Sequence, residues 1–330
     1  MQIEQCSLCG EPAAEIVSAY PGYKKPTTFR IVHCGHCDTQ YCDPLAVSES
    51  VYNHIYENVS KTPGYSRYHY FSLHVKRCDN PLNFLAESEG MYWFIREYLI
   101  QHASPETRIL EIGCGVGYTV YALKQANYRA QGLDISHSAI SNAQANFGGD
   151  DKTYICADVK SFARSTTERF DIIYLTEVIE HLPDFLDILK AARQLLSPEG
   201  VILITTPNKS YYPPSSIWQT ESPPVHLWWF SETSLRIIAK KVGMRARLWD
   251  FSPYYSRKRQ GNGKRFRAFR QPVFKENGTF SVTPKPQKSV LHYRLQVFLN
   301  TLRNRFFGAK LSPGMAPFRS RVLAVVLTND

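Results

Sequence analysis

The sequence predicts an α/β chain with a doubly wound parallel sheet behind a small metal-binding module, on three observations. From Arg108 onward, apolar strands alternate regularly with amphipathic helices, the pattern of parallel βα units. The first of these strands, from Ile109, stops in glycines at 113, 115 and 117 and then enters the amphipathic segment Tyr118 to Gln125. Near the N-terminus two Cys-x-x-Cys pairs, Cys6/Cys9 and Cys34/Cys37, have twenty-four residues between them.

The cysteines come first in the chain. Four thiolates at these spacings close a tetrahedral zinc site, and such a site adds folding energy that a module of ~40 residues cannot draw from its own core. Four cysteines leave no open coordination position, so the zinc on Cys6, Cys9, Cys34 and Cys37 is expected to be structural. His33 and His36 read as solvated neighbours and Cys42 as a spare thiol. From residue 46 the chain is aromatic and polar, with helices expected at Val47 to Asn58 and Asn83 to His102; Tyr65, Tyr68, Tyr70 and Phe71 are candidates to line a lid or to pack the junction.

At Gly113, Gly115 and Gly117 the backbone is free to take positive φ and to let a ligand approach the main chain. The spacing is G-x-G-x-G; a dinucleotide turn would need its last glycine where this chain has Tyr118. A second strand, Ala130 to Ile135, ends in Asp134, where a carboxylate can take both hydroxyls of a ribose. A helix at Ser138 to Phe147 and a strand at Thr153 to Ala157 lead to Asp158. The fourth strand, Phe170 to Leu175, runs into Thr176-Glu177-Val-Ile-Glu180-His181, so one short stretch carries two carboxylates and an imidazole to the mouth of the sheet.

With Glu111 two residues before the first glycine and Asp134 after the second strand, the chain resembles the class I S-adenosylmethionine-dependent methyltransferases, over about Glu89 to Val242 and the last strand. The resemblance implies a seven-stranded Rossmann-like sheet and S-adenosylmethionine as methyl donor. It implies Glu111, Gly113, Gly115 and Gly117 at the methionine and ribose end, Asp134 at the ribose, Asp158 and Val159 at the adenine, with Ile135 and Thr176 also lining the donor. Glu177, His181 and His226 are the catalytic candidates. His181 is either a general base or, with Glu177 and Glu180, a ligand of Mg2+ or Mn2+. The cysteine pattern resembles a zinc-ribbon preface found on some bacterial members of the family.

Beyond the fifth strand, Val201 to Asn208, the stretch His226-Leu-Trp-Trp-Phe230 precedes a helix capped by Ser231; His226, Trp228 and Trp229 are candidates for acceptor contacts or for packing. Met244 to Phe251 and Arg321 to Thr328 are expected as an antiparallel edge pair. The expected organisation is 1–45 zinc ribbon, 46–104 helical linker or lid, 105–252 with 319–330 methyltransferase core, and 253–318 an insertion.

The net charge of +10 is concentrated: Phe251 to Lys310 holds fourteen Lys or Arg against one acid, Glu276, so the rest of the chain sums to −3. Within that insertion Leu291, Leu295, Phe298, Leu299, Leu302 and Phe306 recur at helical spacing opposite Arg294, Arg303 and Arg305. Such a helix packs on its own domain, lies on an anionic membrane surface, holds a lipid-linked substrate, or touches RNA. No apolar run long enough to span a membrane and no leader pattern is present, so the expected location is cytoplasmic, with peripheral contact at the inner membrane face as an option. Three functions remain open: a methyltransferase for a small acceptor such as a sugar, nucleotide-sugar, lipid-linked glycan or natural-product intermediate, O- or N-directed; a metal-dependent RNA ribose 2′-O-methyltransferase; and a non-catalytic binding protein.

Overall fold

The computed structural model describes residues 3–211, 222–256, 272–281 and 320–329. Four antiparallel strands open the chain: β1 (Ile3–Gln5), β2 (Pro12–Pro21), β3 (Thr28–Cys34) and β4 (Thr39–Asp43). Helices α1 (Glu49–Glu57), α2 (Ser66–His74), α3 (Pro81–Ser88) and α4 (Gly90–His102) follow. Then come β5 (Arg108–Ile112), α5 (Tyr118–Gln125), β6 (Arg129–Asp134), α6 (His137–Phe147), β7 (Tyr154–Cys156), α7 (Val159–Ser165), β8 (Phe170–Thr176), α8 (Phe185–Gln194) and β9 (Leu196–Pro207). The remaining elements are β10 (Trp228–Trp229), α9 (Glu232–Lys241), β11 (Met244–Leu248), α10 (Ser252–Ser256) and β12 (Val322–Asn329).

The large sheet has seven strands in the order β11-β12-β9-β8-β5-β6-β7. Strands β9, β8, β5, β6 and β7 are parallel, while β12 is antiparallel to both β9 and β11. This is the expected doubly wound sheet with its antiparallel pair. Leu323 to Leu327 of β12 are all at most 4% exposed, because helices cover both faces. On one face Phe185, Ile188, Leu189, Leu235 and Ile238 of α8 and α9 pack; on the other, Phe94, Leu99, Val120, Leu123 and Ile140 of α4, α5 and α6. Strand order reverses at β5, between β6 and β8, so a crevice opens above the carboxyl ends of β5 and β8, the place where such sheets bind ligands.

Local chemistry explains the boundaries. Ser136 caps α6 by accepting from the Ala139 amide, and Ser231 caps α9 in a reciprocal capping box with Ser234. The single helix expected over Asn83 to His102 is two. Asn80 caps α3 with Pro81 at its first position; Glu89 is then extended (φ −135°, ψ 145°), and Gly90, a weak helix former, starts α4 against Tyr254 and Phe251.

The small sheet holds a finding that spans the chain: its order is β1-β2-β3-β4-β10. Trp228 pairs with Tyr41 and Trp229 with Gln40, so the stretch after His226 completes the sheet of the cysteine module. Around residue 274 the chain also docks there. Phe274 bridges Lys24 and packs with Tyr23, Val51, Ile55 and Val225, while His54 Nε2 meets the Gly278 carbonyl at 2.5 Å. The basic stretch 257–271 and the amphipathic pattern over 291–306 lie outside the described residues.

Candidate active site

The glycine turn forms the floor of the crevice. Gly113, Gly115 and Gly117 have φ of +77°, +51° and +79°. A Cβ at Gly113 would lie 2.8 Å from Val178, and one at Gly117 would lie 2.5 Å from the Tyr154 ring, so these two let helix, strand and following loop close on one another. Gly115 differs: nothing lies within 4 Å of its Cβ position, and the space above it is open to a ligand. Its amide donates to Asp134 Oδ2 at 2.9 Å, and the Ser136 amide donates to Oδ1 at 2.8 Å. Asp134 thereby ties the turn to the end of β6. Ile135, next to it, is 75% exposed and offers an apolar face at the rim.

Asp158 caps α7, accepting from the amide and hydroxyl of Ser161 with Oδ2. The Val159 side chain is buried in the core, which leaves its backbone as the part available to a ligand. Thr176 is half-buried at the end of β8.

Glu111 lies beneath the turn. Only 2% of it is exposed, and its Oε2 accepts from Thr119 Oγ1 at 2.6 Å, which braces the first turn of α5 against β5. Burial pushes its pKa up to about 7, against the lowering effect of hydrogen bonds from Thr119 and Tyr174. A folded Glu111 therefore keeps its proton over a range where the unfolded chain, with an ordinary carboxyl, has lost it. Its contribution to stability is full at low pH and is lost as pH rises toward 7, by on the order of 3 kcal/mol. Thermal unfolding of Glu111→Gln against the parent between pH 5 and 8 checks this: the variant should lose less stability across that range.

The second half of the site follows β8. Glu177 has a left-handed φ of +55°, with its amide on the Thr205 carbonyl at 3.0 Å. A 3-10 turn, Ile179–His181, comes next. Glu180 is fully buried and accepts from Thr206 Oγ1 at 3.0 Å. His181 Nδ1 is 2.7 Å from the Val225 carbonyl, which also accepts from Tyr52 Oη at 3.2 Å. Donation from Nδ1 leaves Nε2 as the lone-pair nitrogen, 4.0 Å from Glu180 Oε1. The His226 ring stands edge-on to His181 with centroids 4.4 Å apart, and His226 Nδ1 has no hydrogen-bond partner among the described residues. Burial holds the His181 pKa down to about 4 and that of His226 well below the ordinary imidazole range. Both are neutral at pH 7, and either can take a proton or bind a metal.

Ligand atoms of Glu180, His181 and His226 all lie within 4.8 Å of one another. Glu177, grouped with Glu180 and His181 from the sequence, falls outside this set. The strand holding His226 is pinned on both sides: the Leu227 amide donates to the Glu180 carbonyl (2.8 Å), the Cys42 amide to the Leu227 carbonyl (2.9 Å), and Trp228 Nε1 to the Leu182 carbonyl (3.0 Å). Trp228 and Trp229 are each 2% exposed. Trp228 packs on Tyr41, Phe185 and Phe230, so these two tryptophans pack the junction instead of facing an acceptor.

Cys6, Cys9, Cys34 and Cys37 bring their four sulfurs together. Cys6 and Cys37 are 3.6 Å apart and Cys9 and Cys34 3.5 Å, close to the ~3.8 Å edge of a tetrahedron of thiolates at ~2.3 Å from zinc. The Leu8 amide points at Cys6 Sγ (3.4 Å), the kind of outer contact that orients a thiolate ligand. His33 bonds Asp38 instead, and Cys42 Sγ points to the Pro44 carbonyl. These residues fit a structural zinc.

Helices α1 and α2 supply the wall. Tyr70 and Phe71 are buried in the core, whereas Tyr56 is 50% exposed and Tyr52, Tyr65 and Tyr68 are half-buried. Tyr52 and Arg67 were not singled out from the sequence. The one signal for Tyr52 was its helical pairing with Tyr56 four residues on, seen in the structure as rings 6.3 Å apart.

Comparison with known proteins gives the family. The profile of the family described as a methyltransferase domain matches residues 76–247. The ubiquinone biosynthesis O-methyltransferase of Actinobacillus pleuropneumoniae serotype 5b (strain L20) is 30% identical over 109 residues, covering 31% of this chain and 47% of that protein. The enzyme of the same name from Aromatoleum aromaticum (strain DSM 19018 / LMG 30748 / EbN1) is 31% identical over 106 residues, covering 32% and 45%. The chain thus spans about half the length of the curated relatives it matches. Among solved structures, the plantazolicin methyltransferase BamL in complex with a triazolic desmethylPZN analog and SAH aligns over 85% of this chain and 97% of that one, at 16% identity and a TM-score of 0.45.

Proposed function

The chain belongs to the class I S-adenosylmethionine-dependent methyltransferase family, and on that premise we propose that it moves a methyl group from S-adenosylmethionine to a hydroxyl of a small-molecule acceptor. The observation that carries the proposal is a pair of neutral imidazoles, a part-exposed His181 in the turn after β8 with a buried His226 edge-on to it, and, after the adjacent strand β5, an open glycine turn tied to Asp134. The two curated relatives named above are O-methyltransferases, which favours oxygen over nitrogen as the attacking atom. Sugars, nucleotide-sugars, lipid-linked glycans and natural-product intermediates remain the acceptor classes.

In this reading the Asp134 carboxylate takes the ribose hydroxyls, Ile135 covers the adenine, and the Asp158 carboxylate with the Val159 amide borders its edge. Bound there, the donor supplies an electrophilic methyl carbon on a sulfonium. His181 Nε2 accepts the proton of the acceptor hydroxyl as the oxygen–carbon bond forms and the carbon–sulfur bond breaks; the Val225 carbonyl holds its tautomer and Tyr52 its ring. Cys6, Cys9, Cys34 and Cys37 hold the structural zinc.

A second reading has Glu180, His181 and His226 ligating Mg2+ or Mn2+ beside the acceptor oxygen, the arrangement that would also suit an RNA ribose. It is favoured by the 4.8 Å clustering of those three side chains. Labelled methyl transfer from S-adenosylmethionine to phenols, sugars, nucleotide-sugars and short RNAs, with and without EDTA, separates the two. The first expects label in a small hydroxyl acceptor. Label confined to RNA and lost in EDTA supports the second, and no transfer to any acceptor with full donor binding points to a binding protein. No described helix is long and apolar enough to cross a membrane.

A further inference from the structure

Phe274 has no part in the chemistry above, yet it is wholly buried beside it. Residues 273–281 form a small hairpin: the Ser281 amide donates to the Val273 carbonyl and the Lys275 amide to the Thr279 carbonyl, each at 2.8 Å, and the Phe280 ring packs on that of Phe274 with centroids 5.1 Å apart. Main-chain bonds fasten this hairpin to the loop after β2. The Phe274 amide donates to the Tyr23 carbonyl and the Lys25 amide to the Phe274 carbonyl, both at 3.0 Å, and the Tyr23 amide donates to the Pro223 carbonyl at 2.7 Å.

Inward, the Phe274 side chain fills the space between α1 and the loop before β10, where it clusters with Tyr23, Val51, Ile55 and Val225. His54 stands edge-on to its ring, centroids 4.4 Å apart, and His54 Nε2 meets the Gly278 carbonyl at the hairpin tip. A helix of nine residues is marginal by itself, and α1 has no side-chain cap at Ser48. Its two buried residues, Val51 and Ile55, both belong to the Phe274 cluster, so the hairpin is what seats α1.

The neighbours of this plug are the groups that hold His181. Tyr52 follows Val51 on α1; its hydroxyl is 3.1 Å from His181 Nδ1 and donates to the Val225 carbonyl at 3.2 Å. The same carbonyl lies 2.7 Å from His181 Nδ1. A carbonyl only accepts, so this bond requires the proton on Nδ1 and leaves Nε2 free to take another. We propose that Phe274 is a positioning residue for the reaction: the 273–281 hairpin sets α1 and the Val225 carbonyl against each other, and through them fixes the tautomer and ring of His181. Its bearing on turnover rests on His181 being the base of the transfer.

Nitrogen NMR of the full chain carrying isotope-labelled histidine, at pH 7, tests it; the His181 signals are those lost in His181→Gln. The parent should show His181 with its proton on Nδ1. Phe274→Ala should give a mixture of both tautomers. Turnover on the phenol or sugar that takes label from S-adenosylmethionine should fall by on the order of tenfold to 10²-fold, the cost of misplacing a reacting group, with S-adenosylhomocysteine affinity within about twofold of the parent. Tyr52→Phe should slow turnover by about tenfold, and the double variant should be no slower than Phe274→Ala, because both changes act on one group. Where Phe274→Ala does not fold, His54→Ala takes its place: the His54 side chain is 29% exposed, its loss loosens the hairpin without opening the core, and the same tautomer mixture is expected. A single Nδ1 tautomer kept in the folded variant, or losses that multiply in the double variant, overturns the assignment. A tautomer mixture together with a His181→Gln protein as fast as the parent keeps the positioning and removes the base reading, so the two failures are told apart.

Discussion

Cys34→Ser is expected to abolish methyl transfer and to lower the melting temperature by roughly 10 °C or more, although Cys34 is far in sequence from every residue of the reaction centre. The cause is the shared sheet. Removing one thiolate opens the metal site, and a ~40-residue module has little apolar core of its own to stay folded. Strand β4 of that module carries β10, and the Cys42 amide holds the Leu227 carbonyl, one residue from His226. The knuckle itself is fastened to the core: Ser234 Oγ donates to the Cys37 carbonyl at 3.1 Å, Thr39 Oγ1 donates to Ser234 Oγ at 2.8 Å, and Lys209 pairs with Asp38. Loss of the module should therefore free the strand that places His226 and, through the Leu227 amide, the Glu180 carbonyl. Zinc content, melting temperature and kcat measured together check it. Cys42→Ser is the control and should keep its metal, since Cys42 Sγ is 3.5 Å from the Pro44 carbonyl and outside the four-sulfur group. A Cys34→Ser protein with one zinc per chain and the parent rate would contradict the account.

His181→Gln should lower kcat by about 10²- to 10⁴-fold, the usual worth of a positioned general base, with donor affinity little changed. The glutamine keeps a hydrogen-bonding tip near the Val225 carbonyl but has no basic nitrogen for the acceptor proton. Because burial holds the His181 pKa to about 4, the base is disabled only as pH falls through that value. The rate of the parent enzyme should thus stay level from pH 8 to 6, where an exposed imidazole with an ordinary pKa near ~6.5 would already be losing activity. Rate-pH profiles of parent and variant decide it: a drop centred near pH 6.5, or a variant as fast as the parent, would remove His181 from the base role.

Much of this was visible in the sequence because its signals are local. Alternating βα patterns, three glycines at fixed offsets and paired cysteines are each read within a few residues, and they located the sheet, the turn and the four-cysteine group. What escaped was long-range. Strand β10 is two residues long and exists only because Gln40 and Tyr41 receive it; no local pattern marks it, and its tryptophans read equally as acceptor contacts or as packing. Tyr52 reaches His181 from 129 positions away. The E-x-x-E-H run did not say which acid joins the histidines. The left-handed Glu177 followed by a 3-10 turn separates its two acids: Glu180 lies with His181 and His226, and Glu177 falls outside that group.

The central claim, that the open turn at Gly115 and the carboxylate of Asp134 hold S-adenosylmethionine, is tested most directly by titration calorimetry of the donor into parent and Asp134→Ala proteins. The account predicts one site per chain in the parent and a loss of affinity of about 30-fold or more in the variant, as expected when charge-assisted hydrogen bonds from both ribose hydroxyls are removed. No heat of binding in the parent, or equal affinity in the two proteins, would contradict it.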